Sequence, residues 1–261
     1  MDTKTSQKKT FLQRIKHSNY IVRDHRVHGV RTLPGVVLLD MIYRLAAEYL
    51  GTKEIELRKI VFKQPVVTSD HFDKKVLVTF SSNETHWNVS VDSQKETSNG
   101  KIDDRSDENM ECLLFLKQES KEGKRRDIET LINNSKLIWD MDDVYGLIRK
   151  VDISHFEFMK TMGTIYQHDN EEVMKLHLSE LAEKYRPKFH AHPAFLDGAT
   201  LAGLSFRLNH GRKQNLNGMI TYLPFAIERF CIHRTLPKTI YTYTKTFTAK
   251  LSIRIRSQQQ Q

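Results

Sequence analysis

The stretch Asp24-His25-Arg26-Val27-His28-Gly29-Val30-Arg31-Thr32-Leu33-Pro34-Gly35 decides how this chain is read. It sets a histidine ahead of a glycine and then of a Pro-Gly step. Gly29 permits a tight backbone approach, and Pro34 suits the turn that opens a helix. From Gly35 to Leu50 nearly every residue is apolar, which predicts a helix with Gly51 as its stop. Its polar members Asp40, Arg44 and Glu48 recur every fourth residue and make one narrow stripe. The remaining faces are apolar, so the helix is expected to be wrapped rather than laid on a surface. At roughly 16 residues it is too short to span a bilayer.

The N–H groups of that helix's first turn have no internal partner and face whatever lies beside His25. A base next to preorganised N–H donors suits abstraction of a proton alpha to a thioester carbonyl. Strand-like runs from Ile55 to Val67 and from Lys75 to Phe80 offer a sheet to curl around the helix. The second half repeats the theme. In His192-Pro193-Ala194-Phe195-Leu196-Asp197-Gly198-Ala199-Thr200-Leu201-Ala202-Gly203-Leu204-Ser205-Phe206, a proline again opens an apolar helical stretch with one carboxylate inside. That carboxylate is costly unless paired, hydrogen-bonded or protonated, although an acidic residue early in a helix is also favoured by the macrodipole.

With His25, Gly29 and Pro34 at their spacing, the first stretch resembles the HxxxGxxxxP motif of polyketide synthase dehydratase domains. The resemblance makes His25 the catalytic base and His28 a bystander at a variable position. The second stretch is similar to the family's HPxxLDxxxQ/H motif, with Asp197 on the position of the general acid. Leu201 stands where the family has Gln or His, which is expected to leave the carboxylate more easily protonated and less firmly oriented. Tyr222-Leu223-Pro224-Phe225-Ala226-Ile227-Glu228-Arg229-Phe230 looks like the LPxxIxxF strand entry of the C-terminal lobe. The family's Tyr-Gly-Pro-x-Phe-Gln motif falls on His155, Phe156, Glu157, Phe158, Met159 and Lys160, with none of its letters kept. The following Met162 to Tyr166 reads as a strand.

The resemblance runs from about Arg14 to Thr248. It implies an α+β double hot-dog, two antiparallel sheets each wrapping a central helix. It also implies a hydro-lyase of a modular, trans-acyltransferase type synthase engaged in polyketide or antibiotic biosynthesis. The substrate would be a 3-hydroxyacyl thioester on the phosphopantetheine arm of an acyl carrier protein, turned into an enoyl thioester. His25 would take the alpha proton, N–H groups near Gly35 would polarise the thioester oxygen, and Asp197 would protonate the departing hydroxyl. His25 and Asp197 are expected to face one tunnel from opposite lobes. An ordinary histidine pKa of about 6.5 makes a neutral base available at cellular pH. No cofactor of its own is implied beyond the carrier's arm. Partners are the carrier protein and neighbouring synthase domains, and a homodimer is allowed. Two other readings are a double-bond-shifting isomerase, which needs the base without the acid, and a non-catalytic structural or gatekeeping domain.

Composition sets the frame. The chain has 261 residues and a net charge of +9. The expected lobes are 10–118 and 136–256, joined by a charged linker at 119–135. Residues 1–13 read as a polar, frayed start, 93–109 as a surface loop, and Gln258 to Gln261 as a low-complexity tail. The two cysteines, Cys112 and Cys231, lack metal-ligand spacing and read as free thiols. Twelve histidines include no HExxH pattern, so no metal is assigned. No signal peptide or membrane span is read, which points to the cytoplasm. Between Glu228 and Arg256 the basic residues far outnumber the acidic, suiting a solvated face or an acidic carrier protein. No nucleic-acid signature accompanies them.

Overall fold

A computed structural model describes residues 7–116, 126–202, 226–247 and 250–256. The chain divides into two compact units, 1–121 with 222–234 and 122–221 with 235–261.

The first unit opens with strand β1 (Lys8–Ile15), a four-residue helix α1 (Tyr20–Arg23), the short strands β2 (His25–Val27) and β3 (Val30–Leu33), and the long helix α2 (Gly35–Leu50). Strands β4 (Ile55–Phe62), β5 (Val66–Thr68), β6 (Phe72–Ser82), β7 (Trp87–Thr97) and β8 (Ile102–Leu116) follow. The main sheet is antiparallel, in the order β1-β6-β7-β8-β4, and is completed beside β4 by a late strand, Ala226–Phe230. In β6 the residues Lys74, Val76, Val78 and Phe80 alternate inward, the period of a half-buried strand. The Lys74 ammonium, buried at the end of that row, is met by Asp107 at 2.5 Å.

Helix α2 has the bounds the apolar run predicts, and Gly51 ends it in the left-handed region at φ 68°. Val36 to Tyr43 are buried without a break, so even Asp40 lies inside, where it accepts from the Arg44 guanidinium one turn on at 2.8 Å. Each large aliphatic side chain buried this way contributes about 1.5–3 kcal/mol. Rings from the strands close on the helix: Phe11, Phe80 and Trp87 against Tyr49, and Phe230 against Tyr43. Gly35 fits against Phe62, whose ring would lie 2.8 Å from any Cβ there.

Tyr43 is the hub of this packing. Its hydroxyl donates to the Ile55 carbonyl at 2.8 Å and accepts from the Ile232 N–H at 2.9 Å, tying α2 to β4 and to the late segment. Burial pushes the phenol far above its ordinary range, so it stays a neutral donor. On the same late segment Arg229 donates to Glu56 at 2.6 Å, and Arg58 pairs with the other Glu56 oxygen. Burial alone would raise that carboxyl, yet the two guanidinium groups hold it below the ordinary range.

The second unit begins with α3 (Ile128–Asn133), β9 (Lys136–Asp140) and α4 (Met141–Ile148), whose Asp140 and Asp143 form a reciprocal capping box. A 3₁₀ turn (Arg149–Val151) leads to β10 (Ile153–His155), β11 (Thr161–His168) and β12 (Glu171–Leu178). Then come α5 (Glu180–Tyr185), a second 3₁₀ turn (Arg186–Lys188) and α6 (Pro193–Thr200). The strand of the first unit already met is β13 (Ala226–Phe230), and β14 (Thr239–Phe247) and β15 (Lys250–Arg256) finish the second. The sheet is antiparallel, in the order β15-β14-β12-β11-β9. Pro193 to Ala199 are all buried, so α6 is this unit's enclosed helix. Each unit thus sets one buried helix against an antiparallel sheet, the α+β double hot-dog that the apolar helices imply.

Several local expectations change. Lys8 to Gln13 belong to β1 and pair with β6 along their length, because a polar segment still satisfies its backbone on a sheet edge. Residues 93–109 form the ends of β7 and β8 and the turn between them, their ladder continuing past the core where side chains are free to be polar. The 226–230 strand, expected in the C-terminal lobe, pairs instead with β4 of the first unit, where Glu56 and Tyr43 hold it. Helix α3 lies within 119–135, capped by Asp127. The expected continuation of α6 toward Phe206, the segments 117–125 and 203–225, and the Gln258 to Gln261 tail lie outside the described residues.

Helix α6 starts on an uncommon cap. The His192 ring accepts the Ala194 N–H through Nδ1 at 3.2 Å, which places the neutral ring's proton on Nε2. Phe158 and Phe189 enclose it, and burial, with the Arg186 charge adding, pushes its pKa down to about 3.

Two outcomes follow. Tyr43→Phe strands the Ile232 N–H and the Ile55 carbonyl, and urea unfolding is expected to show a loss of about 1–3 kcal/mol. His192 binds a proton in the unfolded chain below about pH 6.5 but in the folded chain only near pH 3. Its contribution is therefore intact above pH 6.5 and lost as pH falls toward 3, by up to about 1.4 kcal/mol per pH unit. The acid-side slope of stability should flatten in His192→Asn, which keeps a cap acceptor without the titration.

Candidate active site

The HxxxG spacing around His25 is a β-hairpin. Strands β2 and β3 pair Arg26 with Arg31 and Val27 with Val30, leaving His28 and Gly29 as a two-residue loop. Both loop residues have positive φ, 49° and 76°, as a type I′ hairpin turn requires. Gly29 therefore closes the hairpin, and His28 is the other turn residue, consistent with a bystander. The hairpin brings the His25 ring to the Thr32 carbonyl, with Nδ1 and the oxygen 2.7 Å apart. A carbonyl only accepts, so Nδ1 carries the proton and the neutral ring holds its basic lone pair on Nε2.

His25 is buried, and the chain entering it is anchored on both sides. The Asn19 side chain caps α1 by accepting from the Ile21 N–H, and Arg23 grips the buried Asp24 through two hydrogen bonds of 2.6 and 2.9 Å. Two residues beyond Thr32, Pro34 starts α2. The Val37 N–H turns back to the Pro34 carbonyl at 2.9 Å, so the donors that open outward at this helix start are those of Gly35 and Val36. Base and helix start are thus joined through one hairpin strand.

In the second unit, α6 carries Asp197 in its buried stretch. Its Oδ2 lies 2.6 Å from His155 Nε2, and both side chains are inside, the imidazole almost completely. His155 ends β10, and the Tyr145 ring of α4 lies against it with centroids 5.0 Å apart. The Tyr145 hydroxyl accepts from the Thr161 N–H at 2.9 Å and bonds the Thr161 side chain at 3.0 Å, joining α4 to β11. Thr161 in turn packs so closely on Gly198 that a Cβ there would stand 2.6 Å from its hydroxyl. The residue after Asp197 is a glycine because β11 touches the helix at that point.

Leu201 is the C-cap of α6, where the helix has already ended at Thr200. Its apolar side chain offers Asp197 no donor, but His155, from another element, supplies a partner. The signal was present in the sequence as a buried-type histidine inside the eroded third motif, but its letters pointed to loss rather than replacement. Of that motif's other residues, Phe156 is 46% exposed, and Glu157 contributes its carbonyl to the Ser179 hydroxyl at 2.8 Å.

The remaining sequence features are quieter. Cys112 is buried and its thiol is pushed up to about 12 by desolvation, while Cys231 is half-buried beside His233; neither forms a disulfide. In the basic segment, Arg229 is paired with Glu56 and Lys245 with Glu171, so part of that charge is answered internally. Among the described residues no helix is long and apolar enough to cross a membrane.

Known proteins agree with this architecture. A family model described as polyketide synthase dehydratase domain matches residues 1–94, and one described as polyketide synthase dehydratase N-terminal domain matches 134–257. An N-terminal dehydratase from the difficidin assembly line is 52% identical and superposes with a TM-score of 0.84, over 92% of this chain and 80% of that one. The dehydratase domain from the CurK module of curacin polyketide synthase, 16% identical, shares the fold at a TM-score of 0.84, over 98% of this chain and 89% of that one. The polyketide synthase PksM of Bacillus subtilis (strain 168) is 24% identical over 226 residues, covering 86% of this chain but 5% of that synthase's length. A buried-helix fold in both units, the motif positions and the 52% identity to a solved dehydratase agree, and the chain belongs to the polyketide synthase dehydratase family, hydro-lyases acting on 3-hydroxyacyl thioesters.

Proposed function

We propose that His25 and Asp197 are the base and acid of a competent dehydratase acting on a 3-hydroxyacyl thioester carried by the phosphopantetheine arm of an acyl carrier protein. The observation that carries this reading is the His25 Nδ1 bond to Thr32, which leaves the ring's lone pair on Nε2 for an alpha proton. As His25 Nε2 takes that proton, the C–H electron pair becomes the new Cα=Cβ bond. The Cβ–O bond breaks, and the departing hydroxyl takes a proton from the Asp197 carboxyl and leaves as water. The Gly35 and Val36 N–H groups are the proposed donors to the thioester oxygen, where enolate charge develops. The chemistry requires one substrate to meet both side chains, and no resident cofactor is needed.

A double-bond isomerase would use the base and have no need of a buried carboxylate held as Asp197 is. The synthase context of the relatives supports neighbouring synthase domains as partners, and a trans-acyltransferase type module and a cytoplasmic setting belong to the same proposal. A homodimer and lobes joined through 119–135 remain part of the proposal.

His25→Ala is expected to abolish both dehydration and alpha-proton exchange of a synthetic 3-hydroxyacyl carrier protein, a loss on the order of 10²–10⁴-fold typical of a removed general base. Asp197→Asn should block water loss while exchange in deuterated solvent persists. Mass spectrometry of the carrier's arm reads both, and full dehydration by either variant would place the chemistry elsewhere.

A further inference from the structure

The resemblance of this stretch to the family's second motif implies a Gln or His four residues after Asp197 to hold the acid, and Leu201 stands there. In this chain that turn is no longer helical, since α6 ends at Thr200 and Leu201 only caps it. The carboxylate is nevertheless engaged: His155 Nε2 sits 2.6 Å from Asp197 Oδ2. The imidazole is itself held, because the Tyr145 ring lies against it and Tyr145 is locked to Thr161 by two hydrogen bonds. Thr161 closes the circuit by packing on Gly198, the residue next to the acid. Strand β10 thus meets the carboxylate, and α4 and β11 back the residues on either side of that contact.

We infer that His155 is the positioning residue of Asp197, having taken over from strand β10 the role that position 201 has lost on the helix. The inference rests on the reading of Asp197 as the acid. A neutral imidazole with its proton on Nε2 donates to Oδ2, which leaves the carboxyl proton on Oδ1, facing away from His155. When Oδ1 gives that proton to the departing hydroxyl, the same N–H meets a full carboxylate, and the hydrogen bond strengthens as charge develops. His155 does not touch the substrate in this scheme. It fixes which oxygen holds the proton and where that oxygen points. A glutamine at 201, the C-cap of α6, would offer the carboxylate a donor in place of the imidazole.

The test compares the full chain with His155→Phe, His155→Gln and the double variant His155→Phe, Leu201→Gln, using a synthetic 3-hydroxyacyl carrier protein. In His155→Phe, kcat for dehydration should fall about 10–100-fold, the range for loss of a charge-assisted hydrogen bond, with KM within about 2-fold. Alpha-proton exchange should persist. The double variant should regain at least about 5-fold in kcat, as should His155→Gln relative to His155→Phe, because each returns a donor. An unchanged kcat in folded His155→Phe overturns the inference, as does failure of both glutamine variants to recover activity. An independent reading is the His155 Nε2 proton resonance, which should be shifted downfield and move upfield in Asp197→Asn; a resonance indifferent to that change would show that the pair does not exist. If the unaltered chain dehydrates nothing, the proposed function fails, and the resonance alone decides the pairing.

Discussion

A helix apolar on nearly every face has to be enclosed, and α2 is the element whose enclosure organises the first unit. Because Val36 to Tyr43 are buried without interruption, one sheet face cannot satisfy the helix, and the sheet must reach around it. That demand explains the length of β6, β7 and β8, the aromatic side chains set on Tyr49, and the use of a strand from the far end of the chain. Asp40 can survive inside because Arg44 reaches back to it from the half-buried next turn, so the buried carboxylate is compensated within the helix. Tyr43 then uses its one hydroxyl for two backbone groups, one on β4 and one just beyond β13, converting a packing requirement into a defined register.

The two proposed catalytic side chains are held by different means. His25 is positioned by backbone, through a hairpin whose closing loop needs two residues at positive φ and whose far strand offers the Thr32 carbonyl. Asp197 is positioned by side chains, through His155 and the Tyr145–Thr161 pair behind it. The difference matters for tolerance to change. A hairpin preserves its geometry under most substitutions outside its turn, whereas a side-chain relay can exchange members as long as a donor reaches the carboxylate.

Much of this was legible in the letters. The bounds of α2, its stop at Gly51, the inward placement of Asp197 and the strand over Met162 to Tyr166 follow from apolar periodicity and from glycine and proline placement. The hairpin at His28-Gly29 shows in the letters only as a two-residue turn, a weak signal beside the long apolar helix that follows. The strands over 93–109 were hidden by their composition: beyond the core, a ladder is held by backbone and needs no apolar alternation. The location of Ala226–Phe230 in the first unit depends on Glu56 and Tyr43, pairings far apart in sequence that no local pattern encodes. The role of His155 is hidden for a related reason, since a motif compared letter by letter registers a substitution without showing which atom meets Asp197.

Strand β13 has a consequence for how this polypeptide comes to be. Glu56 and its partner Arg229 stand 173 residues apart, so the first unit's sheet stays one strand short until the chain has been made through β13. Until then the outer edge of β4 is an unpaired ladder, with the Glu56 carboxylate short of one of its two guanidinium groups and the Tyr43 hydroxyl lacking the Ile232 N–H. The first unit's sheet is therefore completed only after most of the second unit has been made. An evolutionary or engineered exchange of either unit has to carry two separate pieces of chain.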